Sequence, residues 1–407
     1  MKILLLTNAY PPEIGGAANL CSELAHALKA RGHSISVVTR FPRHLPEEIA
    51  PKTSRGWLVK EDQGGIKITR INIPEFSRKI PLMRELDYLL HIVFLFIASL
   101  KAGRADVILT SSPPLVMGYA GVLTRFFHRN KMILNVQDIF PQNLVDLGGM
   151  KNKLLISFSR FLEKDIYRRS DLLTVMSEGN KKIVDRTSNK PEIVSVVENW
   201  IDADYIVPGG KNNAFREEFG IGDNFILSFA GCIADSQDMD IILNSAKKLE
   251  QNDDILFLIA GNGPRYEETM QKIKKMELKN VKVIPIQPRD KYVNLLAASD
   301  VGMVTLNPKV ATPTVPSKIK SIMSAGRPVL ASFPIGGDAP KLINRAKCGI
   351  VVGAGDEEAF HNAILRLYSD PQLREQYGKN GREYILRNLT VQSAAERYEY
   401  LFNKVLA

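Results

Sequence analysis

Cysteine is scarce. The 407-residue chain holds three, Cys21, Cys232 and Cys348, too far apart for a disulfide framework or a cysteine-rich metal site. They read as small buried apolar residues in a reducing compartment. Long apolar runs are missing as well. The longest, Tyr88 to Leu100 (YLLHIVFLFIASL), is 13 residues with His91 inside it, short of the roughly 18 that a membrane-spanning helix needs. The opening KILLLTNAYPP has four apolar residues after its lysine, the length of a strand and not of a secretory core. No G-x-G-x-x-G and no G-x-x-x-x-G-K-[ST] occurs, so dinucleotide and P-loop readings lose support. There is no G-x-S-x-G, no His/Cys/Asp cluster with metal-ligand spacing, no low-complexity segment and no short-period repeat.

What is present is an ordinary soluble composition, 45% hydrophobic and 24% charged, in a chain too long for one core. Two domains are expected. The net charge of +10 is uneven: residues 1–200 hold 28 Lys and Arg against 19 Asp and Glu, the remainder 26 against 25. A basic first half beside a neutral second half points to an anionic surface met by the first half alone.

Residues 2–7 are a short apolar run, followed by a Pro/Gly loop (NAYPPEIGG) and an amphipathic helix to about Ala30. Ile35 to Thr39 is the next strand, which makes a strand–loop–helix–strand unit of a parallel sheet. Buried strands follow at 67–73, 106–110, 132–136, 171–175 and 193–198. The polar stretch 42–65 reads as a flexible insertion. The second half restarts the pattern, with strands at 225–230, 255–260, 281–285, 301–305, 328–332 and 349–352. The fold class is therefore α/β, two Rossmann-like parallel-sheet domains facing an interdomain cleft, where ligands of such sheets bind. Residues 1–200 form the first domain and 201–385 the second. The terminal helix, about 386–407, packs back on the first.

The stretch Asn307 to Leu330 concentrates the anion-binding signals. Pro313 and Pro316 keep its loop extended, Ser317 is placed to cap the helix that follows, and Gly326 ends it. A helix N-terminus beside Lys318 suits a bound anion. Gly15-Gly16 opens the first helix, either to admit a phosphate to the backbone or as a plain turn. Gly231 to Gln237 is the matching loop of the second half. Gly261-Asn262-Gly263 is a close-approach turn suited to a nucleobase or ribose, or a connector. Asp138 follows an apolar strand directly, either to orient a hydroxyl or act as a base, or to cap a helix. Asp202/Asp204 and Asp238/Asp240 read as turn and helix caps. His26, His33 and His91 receive no catalytic role.

The segment Arg78 to Arg104 places Leu86, Leu89, Leu90, Val93, Phe94 and Ile97 between basic ends. It suits a helix dipping into an anionic membrane surface, or a buried helix of the first domain. Arg125-Phe126-Phe127-His128-Arg129 fits the same surface. No nucleic-acid module is visible.

Taken in order, several short segments resemble retaining glycosyltransferases of family four with the GT-B fold, in the branch of L-fucosamine and colanic-acid transferases. They are Pro11-Pro12 with Gly15-Gly16, Ser111-Ser112-Pro113-Pro114, Gln137-Asp138-Ile139-Phe140-Pro141 and Glu198-Asn199-Trp200-Ile201-Asp202. Phe229-Ala230-Gly231 with Gln237, Ala260-Gly261-Asn262-Gly263-Pro264, and Pro316-Ser317-Lys318 with Ala325-Gly326-Arg327-Pro328 complete the series. The resemblance implies a metal-independent hexosyl- or N-acetylhexosaminyl-transferase in surface polysaccharide or lipopolysaccharide biosynthesis. Its donor would be a nucleotide sugar, with UDP as the nucleotide, and its acceptor a polyprenyl-diphosphate-linked saccharide. It would work in the cytoplasm at the inner face of the cell membrane. The second domain would hold the donor. Gly15, Gly16, Gly231, Gln237, Ser317 and Lys318 would face its diphosphate, and Gly261, Asn262, Gly263 and Ser321 its nucleoside. Asp138 and Lys318 would be the catalytic residues. Two family glutamates are replaced by Pro313 and Ser321, a lysine by Gln237 and a histidine by Gln137, and Lys318 would supply the missing cation. Cys232 and Ala234 stand where that branch has Asn and Gly. The alternatives are a nucleotide-sugar 2-epimerase and a non-catalytic nucleotide-sugar-binding or membrane-adaptor protein.

Overall fold

The computed structural model describes residues 1–13, 15–42, 56–74, 81–112, 114–146, 148, 150–310, 313 and 315–407, with main chain only at 81–86, 88 and 116. Two compact units result, Met1–Trp200 with Val391–Ala407, and Ile201–Thr390.

The sheet of the first unit comprises β1 (Lys2–Leu6), β2 (Ser34–Arg40), β3 (Leu58–Gln63), β4 (Ile66–Ile71), β5 (Val107–Ser112), β6 (Lys131–Val136), β7 (Leu172–Val175) and β8 (Val194–Val196). Their order is β3-β4-β2-β1-β5-β6-β7-β8. All pair in parallel except β3, which runs antiparallel to β4 at the edge. Ile3, Leu4, Val37, Val38, Ile108 and Ile133 are fully buried, as strands covered on both faces require. The chain winds outward from β1 through β2 to β4 and then returns to β5. The crevice of a doubly wound sheet opens at this reversal, between the carboxyl ends of β1 and β5.

Helices α1 (Gly16–Ala30), α2 (Pro81–Ala102), α3 (Leu115–His128), α4 (Gln142–Asp146) and α5 (Lys153–Arg169) connect these strands. The terminal helix Val391–Leu406 lies against α1 and buries Tyr398 and Phe402 beside Leu24, Leu28 and Trp200. Arg31 and His33 bind Glu399 from the other side, with His33 Nε2 3.1 Å from its carboxylate. The preceding helices Glu357–Ser369 and Pro371–Asn388 stay with the second unit.

The second unit has β9 (Phe225–Cys232), β10 (Ile255–Asn262), β11 (Val281–Ile284), β12 (Val301–Thr305), β13 (Val329–Phe333) and β14 (Gly349–Gly353). The sheet is parallel, in the order β11-β10-β9-β12-β13-β14. Its reversal falls between β9 and β12, so the loops after these two strands border its crevice.

Three expectations need correction. The stretch 42–65 is not all insertion: Leu58–Gln63 is the β3 edge strand, while residues 43–55 lie outside the described residues. Cys232 is exposed, because β9 runs past its last buried pair. The 78–104 segment forms α2, whose Leu95 and Ala98 are wholly buried among β-strand and α3 residues. Its Leu89 and Val93 face solvent; Arg78, Lys79, and the side chains of Arg84 and Leu86 lie outside the described residues. Among the described residues, no helix is long and apolar enough to cross a membrane.

Candidate active site

At the reversal of the second sheet, three of the expected residues meet a fourth that the sequence concealed. Lys318, the second residue of the helix Ser317–Ser324, reaches back over the end of β9. Its ammonium donates to Gln237 Oε1 at 3.1 Å and lies 4.0 Å from the centroid of the Phe229 ring, a cation–π distance. Phe229 is completely buried, so the ring is a fixed floor. Gly231 is what lets the lysine lie there. A Cβ at this position would stand 2.5 Å from Lys318 Cε, and φ is +139°, a conformation that L side chains rarely adopt. Burial pushes the Lys318 ammonium down to about 8, with the Cys232 thiol a smaller opposing influence. A cation with little solvent of its own is ready to accept an anionic partner.

Two hydrogen bonds from Asn307, one from its backbone and one from its side chain, tie down the Gly231–Gln237 loop. Asn307 N donates to Ser236 O at 2.9 Å and Asn307 Nδ2 to Asp235 O at 3.0 Å. The loop after β12 thus holds the loop after β9. Asp238 caps the next helix by accepting from Ile241 N at 3.1 Å, and Asp202 accepts from Tyr205 N at 3.0 Å; both are caps, as the D-x-D spacing suggested.

Ser317 does not cap its helix. Pro316 occupies the N-cap with no side-chain acceptor, and Ser317 is the first helical residue. Proline at that point already sets the extended entry, which leaves the first turn's N–H groups without a side-chain cap. Ser321 is buried, with its hydroxyl directed at Ser317 O, 3.4 Å away. Pro313 is half-buried.

The glycines of the 261–263 turn have a local cause. β10 pairs with β9 as far as Asn262 and Cys232, and a Cβ on Gly261 would lie 2.2 Å from Gly231 O. At this pair the two strands approach too closely for a side chain on Gly261. Asn262 is exposed at the rim.

In the first unit, Gly15 and Gly16 stand at the start of α1 in open surroundings, with nothing within 4 Å of a Cβ built on either. Two arginines steady the chain leading to them. Arg40 donates to Asn8 at 3.1 Å and to Glu13 at 2.9 Å. Arg70, 2% exposed, bonds Glu61 of β3 and the Pro11 carbonyl. Neither was singled out from sequence, although a charge inside an otherwise apolar strand is the available signal. Asp138 is exposed and accepts from Asn143 Nδ2 at 3.2 Å. Desolvation by the surrounding protein lifts its carboxyl above the ordinary range, and the Asn143 amide pulls the other way. Neighbouring Gln137 is engaged in a reciprocal amide pair with Asn199, at 3.2 and 2.7 Å. The two residues following β6 therefore differ in kind: Gln137 is committed to structure and Asp138 is presented.

Two doubly wound sheets in one chain are the GT-B architecture, and the family matches over both make the protein a glycosyltransferase. More closely, the chain is a glycosyltransferase family 4 domain, matched over residues 14–205, joined to a glycosyl transferases group 1 domain, matched over 211–384. It is 23% identical over 339 residues to the putative colanic acid biosynthesis glycosyl transferase WcaI of Escherichia coli K12, covering 80% of this chain and 82% of that one. It is 27% identical over 260 residues to the probable glycosyltransferase WbjE of Pseudomonas aeruginosa, covering 63% and 65%. The Anabaena protein HepE, solved in complex with UDP and glucose, superposes with a TM-score of 0.75 at 16% identity, over 99% of this chain and all of that one.

Proposed function

We propose that the protein is a retaining glycosyltransferase. It moves a sugar from a UDP-sugar to a polyprenyl-diphosphate-linked saccharide in surface polysaccharide biosynthesis. The second unit holds the donor and the first receives the acceptor, at the cytoplasmic face of an anionic membrane. The likeness to WcaI supports the polysaccharide setting, that to WbjE supports glycosyl transfer, and HepE with UDP and glucose supports the nucleotide.

The observation that carries this reading is Lys318 lying over Gly231 against Gln237. When the bond from the sugar to the donor diphosphate breaks, negative charge grows on the departing phosphate oxygen. A pre-positioned ammonium and helix N–H groups stabilise that charge without reorganising. Ser317 and Gln237 contribute polar groups to the diphosphate in the second unit, and Gly15 and Gly16 of the first unit offer open backbone suited to a phosphate. Gly261, Asn262, Gly263 and Ser321 border the nucleoside. Asp138 orients the acceptor hydroxyl, whose proton passes to the departing diphosphate oxygen as the sugar–phosphate bond breaks and the new glycosidic bond forms. Charge neutralisation by the protein makes the reaction metal-independent, so EDTA leaves the rate unchanged.

The test is incubation of the purified protein with a panel of UDP-sugars and a polyprenyl-diphosphate-linked saccharide. UDP release and the anomeric configuration of the product are followed by NMR. Transfer with retained configuration supports the reading. Inverted configuration, or release only when a metal is added, overturns the corresponding part. Conversion of the donor sugar without an acceptor marks a 2-epimerase. UDP-sugar binding without turnover marks a binding or adaptor protein, the reading favoured by Pro313 and Ser321 where the family carries glutamates.

A further inference from the structure

We infer that α5 is the element by which the first unit docks on an anionic bilayer surface, in preference to the α2 segment that the sequence singles out. Leu154, Phe158 and Phe161 are spaced four and three residues apart, hence on one helical face. They are 82, 55 and 65% exposed. Large apolar side chains in such a row are uncommon on a soluble surface without a partner. The opposite face is firmly seated. Ser159, Glu163, Ile166 and Tyr167 are buried, and Ile166 fills the space left by Gly118 of α3, where a Cβ would come within 2.7 Å. The helix therefore cannot turn its apolar row inward.

The charge around that row identifies what covers it. Lys151, Lys153, Arg160 and Arg168 are exposed beside it and Lys164 is half-buried. The two acids of the helix are occupied elsewhere. Glu163 is buried and accepts from the Tyr167 hydroxyl at 2.8 Å, and Asp165 pairs with Arg169 at 2.8 Å. An apolar face with a cationic border, whose five cations form no ion pair within 4 Å among the described residues, fits lipid headgroups of negative charge over an acyl interior. A protein partner of the same polarity would have to supply a carboxylate rim.

The docking face also connects to the acceptor side. Arg160 Nη2 donates to Gln142 Oε1 of α4 at 3.0 Å, and the next residue, Asn143, donates to Asp138 at 3.2 Å. A bilayer engaged by α5 holds a lipid-borne acceptor near Asp138. This last point rests on the lipid-linked reading above; the docking itself does not.

The experiment is co-sedimentation of the full chain with phosphatidylglycerol–phosphatidylcholine vesicles and with phosphatidylcholine alone. Wild type is compared with Leu154→Ser/Phe158→Ser/Phe161→Ser, with Lys153→Gln/Lys164→Gln, and with Phe126→Ser/Phe127→Ser on α3. We expect wild type to bind the anionic vesicles in a salt-sensitive way, and the α5 apolar variant to lose roughly tenfold or more in partitioning. The lysine variant weakens on anionic vesicles only, and the α3 variant binds as wild type. Turnover on a detergent-dispersed acceptor is retained by the α5 variants, which shows them folded. Failure of the transferase reading appears as absent turnover in all proteins with vesicle binding intact. The inference is overturned if wild type ignores vesicles, if the α5 variants bind normally, if the α3 variant alone loses binding, or if the α5 substitutions convert a dimer into a monomer.

Discussion

The Lys318 ammonium and the Gln237 amide oxygen are 3.1 Å apart, although 80 residues of chain separate them. The cation comes from the helix after β12, and the glutamine of the loop after β9 accepts from it. Two loops that border one crevice thus meet at this contact, with the ammonium over the end of β9.

Protonation follows from the same contact. Burial lowers Lys318 to about 8, so below that pH the ligand-free protein carries the ammonium and above it the neutral amine. A diphosphate prefers the ammonium and raises its pKa on binding. UDP affinity therefore falls as pH rises through about 8, by at most roughly tenfold per unit. Calorimetry in buffers of different ionisation enthalpy should show proton uptake on binding above that pH. Lys318→Met abolishes the uptake.

Gly231→Ala forces a side chain into a backbone conformation that suits glycine and pushes Cβ into Lys318. The strain costs about 1–3 kcal/mol, read as a lower melting temperature. UDP affinity falls in addition, because the ammonium is displaced from Phe229 and Gln237. A variant with wild-type affinity would show that the lysine has another resting place.

Asp138→Asn is expected to lower kcat by roughly 10²–10⁴-fold with the Kd for UDP unchanged, since the residue serves the acceptor. Asn143→Ala gives the finer reading. The amide favours the charged carboxylate, so its loss raises the carboxyl pKa and moves the acid limb of the kcat profile to higher pH. An unmoved limb would remove Asp138 from the rate-determining chemistry.

The terminal helix gives a stability test. Phe402 is fully buried against Leu24, Leu28 and Trp200. Phe402→Ala should cost about 3–5 kcal/mol, measured by denaturant unfolding followed through Trp200. A cost near zero would mean that the helix is not an integral part of the first unit.

Much of this architecture could be read from the chain, and the exceptions have physical reasons. Buried parallel strands such as ILFLIA at 255–260 are continuous apolar runs, so they announce themselves. LVKEDQ at 58–63 does not, because an edge strand with one wet face carries its charges openly. The places of Gly231 and Gln237 in a strand-end loop and of Lys318 at a helix start were legible. Phe229 was hidden, because an aromatic inside an apolar strand is indistinguishable from core until something is seen lying on its ring. The Ser317 cap failed for a local reason, since Pro316 had already taken the position. The α5 face was hidden for another. Leu154, Phe158 and Phe161 have helical spacing that reads equally well as a buried face, and only the packing of Ile166 and Tyr167 shows which side points inward.

The central claim is that Lys318 holds the diphosphate of a nucleotide at the end of β9. Isothermal titration of UDP into wild type and Lys318→Ala, near pH 7 with EDTA present, tests it most directly. Loss of a charge-assisted hydrogen bond of about 1.5–3 kcal/mol predicts roughly 10- to 150-fold weaker binding in the variant. Equal affinity in the two proteins, or wild-type binding that requires a metal, would contradict the account.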